Sequence, residues 1–264
     1  MIYPKTLPAA HKRLLIKVID TFSQDSRIVG IGAAGSFSSN SMDKFSDLDL
    51  IIAIEQHSFD TVMEERFKLI DKVDGKIAAF TGEHVGEPRL IIALYQPDLV
   101  HVDFKFVSLP DATKRVDDVK VLWERDRQLT NVFRQTNHEY PQPDIQWIED
   151  RFWIWVHYCA TKIARGEFFE ATEFLSFLRT TVLSPLALQQ HGLTPSGVRT
   201  IERRLPEFAT LLRETIATPD REALIPALQK CISLYLELRN KEQVLVNTSA
   251  EEQVLAYFKQ ELIS

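Results

Sequence analysis

Residues 47–54 read Asp-Leu-Asp-Leu-Ile-Ile-Ala-Ile, and this stretch constrains the chain more than any other. Polar and apolar positions alternate at first and an unbroken apolar run follows, which is the pattern of a strand entering the interior of a sheet. A period of two puts Asp47 and Asp49 on one face and Leu48 and Leu50 on the other. Residues 101–106, His-Val-Asp-Phe-Lys-Phe, alternate throughout, with His101, Asp103 and Lys105 on one face and Val102, Phe104 and Phe106 on the other. If the two strands are neighbours, Asp103 joins Asp47 and Asp49 in an acidic triad.

The rest of the first half supplies further strands and helices to go with them. Residues 27–33, 76–81, 89–95 and 100–107 are short, rich in β-branched and aromatic residues and separated by glycine or proline breaks, as strands are. Residues 8–23 and 58–73 carry apolar positions at helical spacing. After residue 135 the pattern changes. The polar, two-proline stretch 135–144 reads as a linker, and helical patterns follow over 145–165, 167–190, 196–217, 220–241 and 249–262, with Gly166, Gly192, Pro195 and Pro219 as breaks. The expected fold is α+β: a domain over 1–138 with a small mixed sheet and helices, then an α-helical bundle over 139–264.

Composition narrows the partners. Lys and Arg number 31 against 37 Asp and Glu, a net charge of −6, and the isoelectric point is about 5.7. A protein that grips nucleic-acid backbone shows a basic face or a basic isoelectric point, so the balance argues against a nucleic-acid substrate and suits a small or cationic one. No segment reaches 18 uninterrupted apolar residues, so no membrane span is expected, and the start of the chain lacks the apolar stretch of a secretion signal; the expected location is cytoplasmic. Cys159 and Cys231 stand far apart in apolar helical contexts and read as buried thiols rather than a disulfide. Among Trp123, Trp147, Trp153 and Trp155, the last three fall on one apolar helix and read as core, while Glu64-Glu65 and Glu251-Glu252 read as solvated helix faces.

Two carboxylates on one strand face repel each other, and a divalent cation removes that cost. Magnesium prefers oxygen ligands and keeps positions open for phosphate oxygens. Gly35-Ser36 lies between an expected strand and an expected helix start, where glycine permits close backbone approach and free N–H groups suit phosphate. Lys105, on the face of Asp103, is placed to meet a phosphate or a substrate.

Gly35-Ser36, ten residues, Asp47-x-Asp49 and a later strand bearing Asp103 together resemble the DNA polymerase β-like nucleotidyltransferase superfamily. The closer likeness is to aminoglycoside 6-adenylyltransferases and lincosamide nucleotidyltransferases: residues 102–110 resemble their third-acid strand, and Phe152-Trp153-x-Trp155 with Lys162 and Arg165-Gly166-Glu167 resembles the opening of their helical bundle. The resemblance implies a small mixed sheet with helices on one side, joined to a bundle. It also implies transfer of a nucleoside monophosphate, usually AMP from ATP or another nucleoside triphosphate, to a hydroxyl, and with it antibiotic resistance. Asp47 and Asp49 match the family's magnesium ligands, Gly35 and Ser36 its phosphate-cradling turn, and Asp103 its third acid, which serves relatives as metal ligand or as general base. Some relatives draw the base from the helical domain, where Glu167, Glu170 and Glu173 are candidates. Phe37 follows Gly-Ser where some aminoglycoside enzymes carry a basic residue, which leaves the triphosphate to the backbone, Ser36 and Lys44 or Lys105.

Two alternatives stand beside this reading: a nucleotidyltransferase acting on a protein or a tRNA end, and a nucleotide-binding module without turnover. Retention of all three acids argues against the second. Either a monomer or a homodimer is compatible with the sequence.

Overall fold

The computed structural model describes residues 3–263. Helix α1 (Ala9–Phe22) buries Leu14, Leu15, Val18, Ile19 and Phe22 along one stripe, the spacing of an amphipathic helix. It packs on a six-stranded mixed sheet formed by β1 (Ile28–Ala33), β2 (Leu48–Ile54), β3 (Lys76–Gly82), β4 (Glu87–Tyr95), β5 (Val100–Ser108) and β6 (Lys120–Glu124), in the order β3-β4-β5-β2-β1-β6. Helix α2 (Gly35–Ser38) is a single turn between β1 and β2, and α3 (Phe59–Asp71) follows β2. Only β2 and β5 pair in parallel; the other four pairings are antiparallel.

One face of the sheet carries the larger core of this unit, where Leu48, Leu50, Ile52, Val102, Phe104 and Phe106 meet Phe22 of α1 and Leu69 and Ile70 of α3. The helices do not all lie on that side. Helix α4 (Gln128–Arg134) covers part of the opposite face through Leu129, which packs with Val29, Ala53 and Val107. Gly30 makes this approach possible, since a Cβ there would stand 2.8 Å from the Cβ of Leu129.

Compact structure gathers into two units, one up to Tyr140 and one from Pro141. The second is helical: α5 (Ile145–Arg165), α6 (Phe168–Leu178), a π-helical segment (Arg179–Leu183) running into α7 (Ser184–Gln190), α8 (Ile201–Arg204), α9 (Pro206–Arg213), α10 (Arg221–Arg239) and α11 (Thr248–Phe258). Side chains of Asp144, Asp220 and Asn247 cap α5, α10 and α11 by accepting from Trp147, Ala223 and Ala250 N–H, each satisfying a donor the helix cannot. Gly166 ends α5 at φ 77°, a conformation glycine adopts without steric cost. Phe152 stacks on Tyr235 with centroids 3.6 Å apart, deep in a core that also holds Trp153, Val156, Leu175, Leu186 and Leu228.

This unit departs from expectation in three places. The helix expected over 196–217 is two short helices, because Pro206 opens α9 while Leu205 before it leaves the helical conformation at φ −137°, ψ 69°. Of the α5 tryptophans, Trp153 is core, but Trp147 is 43% exposed; its indole lies under the Arg151 guanidinium at 4.3 Å. Glu251 is not a solvated face residue, since it accepts from the buried Arg239 at 2.7 Å; in the first unit Glu65 likewise pairs with Arg27 at 2.7 Å. Cys159 and Cys231 are buried and free. Among the described residues, no helix is long and apolar enough to cross a membrane.

Candidate active site

Asp47 lies one residue before β2, and Asp49 lies on it. The loop leading to Asp47 is ordered by its own side chains. Asp43 Oδ1 accepts from Phe45 N–H at 2.8 Å, and Ser46 Oγ accepts from Asp43 N–H at 2.9 Å, a turn closed by short polar side chains. Met42 anchors the loop in the core. From the other side the buried His11 of α1 reaches Ser46 O, its Nε2 donating over 2.6 Å. The peptide that carries Asp47 is therefore held on both flanks. Sequence pattern gave no reason to pick out His11, because a histidine on an apolar helix stripe carries no signature of its carbonyl partner.

The parallel pairing of β2 with β5 sets Asp49 directly beside Asp103. Asp47, Asp49 and Asp103 each offer one carboxylate oxygen such that the three atoms lie within 4.8 Å of one another, and all three residues are half-buried. So the structure brings together the three acids that the two strands suggested. His101 Nε2 lies 2.9 Å from Asp103 Oδ1.

Gly35 closes over this group. Ala34 N–H donates to Asp49 O at 2.9 Å, which carries the β1–β2 ladder one step past the strand and places Gly35 against Asp49. Gly35 has φ 57°, and a Cβ on it would stand 2.2 Å from Asp49 Oδ2. Both facts require glycine: the conformation is left-handed, and the space is already filled by the carboxylate. Gly35 begins α2, and the first N–H groups of a helix have no acceptor within it. The turn is fixed from below by the buried Phe37 and tightened by Ser38 and Ser39, whose hydroxyls each donate to Gly35 O at 3.0 Å. Ser36 Oγ is buried with no hydrogen-bond partner among the described residues. A buried hydroxyl left unpaired costs stability, and this one belongs to the residue after Gly35, whose backbone meets Asp49.

The two lysines are differently placed. Lys44 is exposed in the loop, its Nζ 4.7 Å from the centroid of the exposed Phe45 ring. Lys105 is on β5, two residues beyond Asp103, and its Nζ lies 3.0 Å from Glu87 Oε2. Glu87 also accepts from both Nε and Nη2 of Arg89 at 2.7 Å, and that bidentate pair, with Lys105, holds its carboxyl down to about 2 against some burial. Lys105 thus belongs to a Glu87–Arg89 cluster that the sequence did not single out. Glu167 and Glu170 lie in the helical unit, 2.7 and 3.1 Å from Lys162 Nζ. The Tyr158 hydroxyl donates to Glu170 and, with Lys162, holds its carboxyl below the usual range, which weakens it as a base. Glu173 is exposed.

Three half-buried carboxylate oxygens at one point, a glycine whose backbone meets one of them, and an unpaired buried hydroxyl fit a hard divalent cation and the phosphates it carries. Residues 15–89 match the family model of the nucleotidyltransferase domain. That span includes the Gly35-Ser36 turn, Asp47 and Asp49 but stops before Asp103. Comparison with curated proteins finds no match. Among solved structures, the chain is similar to an aminoglycoside 6-adenyltransferase from Bacillus subtilis, at 14% identity and a TM-score of 0.41, over 94% of this chain and 97% of that one. It is also similar to a nucleotidyltransferase-like protein from Exiguobacterium sibiricum, at 13% identity and a TM-score of 0.38, over 86% and 74%. A third is a STING-associated CdnE c-di-GMP synthase from Capnocytophaga granulosa, at 12% identity and a TM-score of 0.31, over 88% and 81%. At these scores the three likenesses carry no argument about activity or substrate.

Proposed function

We propose that the chain, whose residues 15–89 match the nucleotidyltransferase domain, transfers AMP from ATP, with release of pyrophosphate, to a hydroxyl of a small molecule of the aminoglycoside or lincosamide kind. The observation that carries the proposal is the meeting of Asp47, Asp49 and Asp103 within 4.8 Å against the Gly35 backbone. Residues 1–138 form the nucleotidyltransferase domain in this reading and residues 139–264 a helical domain, and the expected location is cytoplasmic.

Asp47, Asp49 and Asp103 would hold magnesium, which supplies charge neutralisation on the triphosphate and orientation of its α-phosphorus. The chain's own residues do the rest. Gly35 and Ser36 receive phosphate oxygens through N–H groups and the Ser36 hydroxyl, which has no hydrogen-bond partner among the described residues. Lys105 and Lys44 supply positive charge to the triphosphate, Lys105 after exchanging Glu87 for phosphate. Asp103 serves as third ligand. The acidic balance of the chain, −6, favours a cationic acceptor over a polyanion.

Incubation with labelled ATP, magnesium and a panel of aminoglycosides and lincosamides tests the reading by the appearance of adenylylated product. Asp47→Asn and Asp49→Asn should each lower the rate by several orders of magnitude, because charge neutralisation on the triphosphate is worth several kcal/mol. Product formation by either variant at the wild-type rate would remove the proposed metal site, and a panel with no product would remove the proposed acceptor class.

A further inference from the structure

His101 precedes Asp103 by two positions on β5, so strand alternation puts both side chains on the same face of the sheet. The separation of His101 Nε2 from Asp103 Oδ1 is 2.9 Å, with the imidazole 49% exposed and the carboxylate 23%. A carboxylate only accepts, so Nε2 carries the proton and donates. On β4 the register partner of His101 is Leu94, which offers the ring no polar group. On the other side β5 pairs with β2 from the Leu48–Val102 rung onward, which sets Asp49 beside Asp103 and leaves Asp47 one residue before the ladder. Three acids within 4.8 Å of one another thus have one donor, His101, against them, and nothing in the proposed reaction uses that donor.

Three carboxylates this close repel one another, and an unrestrained Asp103 relieves the repulsion by turning about its terminal torsion, away from Asp47 and Asp49. The hydrogen bond from His101 to one of its oxygens opposes that rotation. Groups that hold a metal ligand from behind in this way shape affinity strongly, and their removal costs about 10–100-fold in metal binding or activity.

We infer that His101 is a positioning residue, whose Nε2–H fixes Asp103 in the orientation that completes the divalent-cation site. The inference rests on the reading of Asp103 as a ligand. Three substitutions separate the possibilities: His101→Phe, which keeps a ring and loses the donor; His101→Val, which loses the donor with a strand-favouring side chain, should the first fold poorly; and His101→Gln, whose amide N–H restores a donor. Binding of Mn2+ to the full chain, with a non-hydrolysable ATP analogue present, is read by electron paramagnetic resonance; acceptor KM is read in turnover. The expected result is Mn2+ affinity lowered about 10–100-fold in the donor-free variants, recovered largely by Gln, with acceptor KM unchanged. Wild-type Mn2+ affinity in the donor-free variants would overturn the role, as would an altered acceptor KM at constant Mn2+ affinity. Asp103→Asn, measured alongside, distinguishes the levels: if it leaves Mn2+ binding intact, Asp103 is no ligand and the underlying reading falls; if it abolishes binding while His101→Phe does not, only the positioning role falls.

Discussion

At the scale of single residues, Gly35 is the most exacting position in the site. Gly35→Ala combines a left-handed backbone, which costs about 1–2 kcal/mol for a residue with a Cβ, with a methyl group placed on Asp49 Oδ2. Asp49 or the turn must shift, and a displacement of this order in a catalytic group costs about 100-fold in rate. We expect kcat to fall by about that factor while thermal denaturation reports only the small backbone cost; a variant equally active would show that the turn does not act on the acids. The thiols make the opposite case. Burial pushes Cys159 and Cys231 up to about 12, and since the thiolate is the reactive form, both should resist a disulfide-exchange reagent in the native protein and react fully in denaturant. The acids and the Gly-Ser turn were legible because strand alternation and spacing express them directly. His11 was not, since its partner, the Ser46 carbonyl, is supplied only by the folded chain; His101 was legible on the face of Asp103, but its hydrogen bond to that carboxylate was not.

At the scale of elements, α5, α10 and α11 are joined by a buried cluster. Glu149, 1% exposed, accepts from Tyr235 Oη, from Arg239 Nη1 at 3.3 Å and from Asn247 N–H at 3.2 Å, while Arg239 also donates to Glu251. Removing one partner of a buried pair leaves the other charge uncompensated, at a cost of about 3–5 kcal/mol. Glu149→Ala should therefore destabilise the helical unit by that amount, measured by chemical denaturation, with Asp47-dependent metal binding in the other unit unaffected. Helices with strong periodicity were legible in outline, α5 and α10 almost to the residue. β6 was not. Its five residues, Lys-Val-Leu-Trp-Glu, begin and end on charge, and it exists because the edge of β1 needs hydrogen-bond partners. The helix α4 that follows was missed for a different reason: seven residues carry too few turns to show a period, and its place is fixed by the glycine gap in β1.

For the molecule as a whole, two measurements probe how the site is tied to stability. The Glu87 carboxyl is held at about 2, first by Arg89 and then by Lys105. A depressed acid contributes stability above its ordinary value near 4.5, and loses it as pH falls towards 2. Acid unfolding of the first unit should thus steepen over that window, and Glu87→Gln should flatten it; the comparison is made by denaturant titration at a series of acidic pH values. Ligand linkage gives the second: magnesium with a non-hydrolysable ATP analogue at 100 times its Kd should stabilise the same unit by about 2.7 kcal/mol, and Asp49→Asn should abolish the gain. The composition of the chain bounded this scale only loosely, because net charge speaks to partners and not to the placement of Arg89 and Lys105 around one carboxylate.

The pairing of β2 with β5 is the one parallel contact in the sheet, and the chain reaches it only after making α3 and the β3–β4 hairpin. Asp47 and Asp49 are therefore local to each other, whereas Asp103 arrives late and from a distance. Bridging such strands is a topological event with a large loop to close. A cation shared by all three acids, as proposed, would act as a clasp on that closure, so that its affinity would measure completion of the fold as much as readiness for chemistry. A fragment ending with the family-matched segment at residue 89 would keep the recognisable motif and have no clasp to fasten.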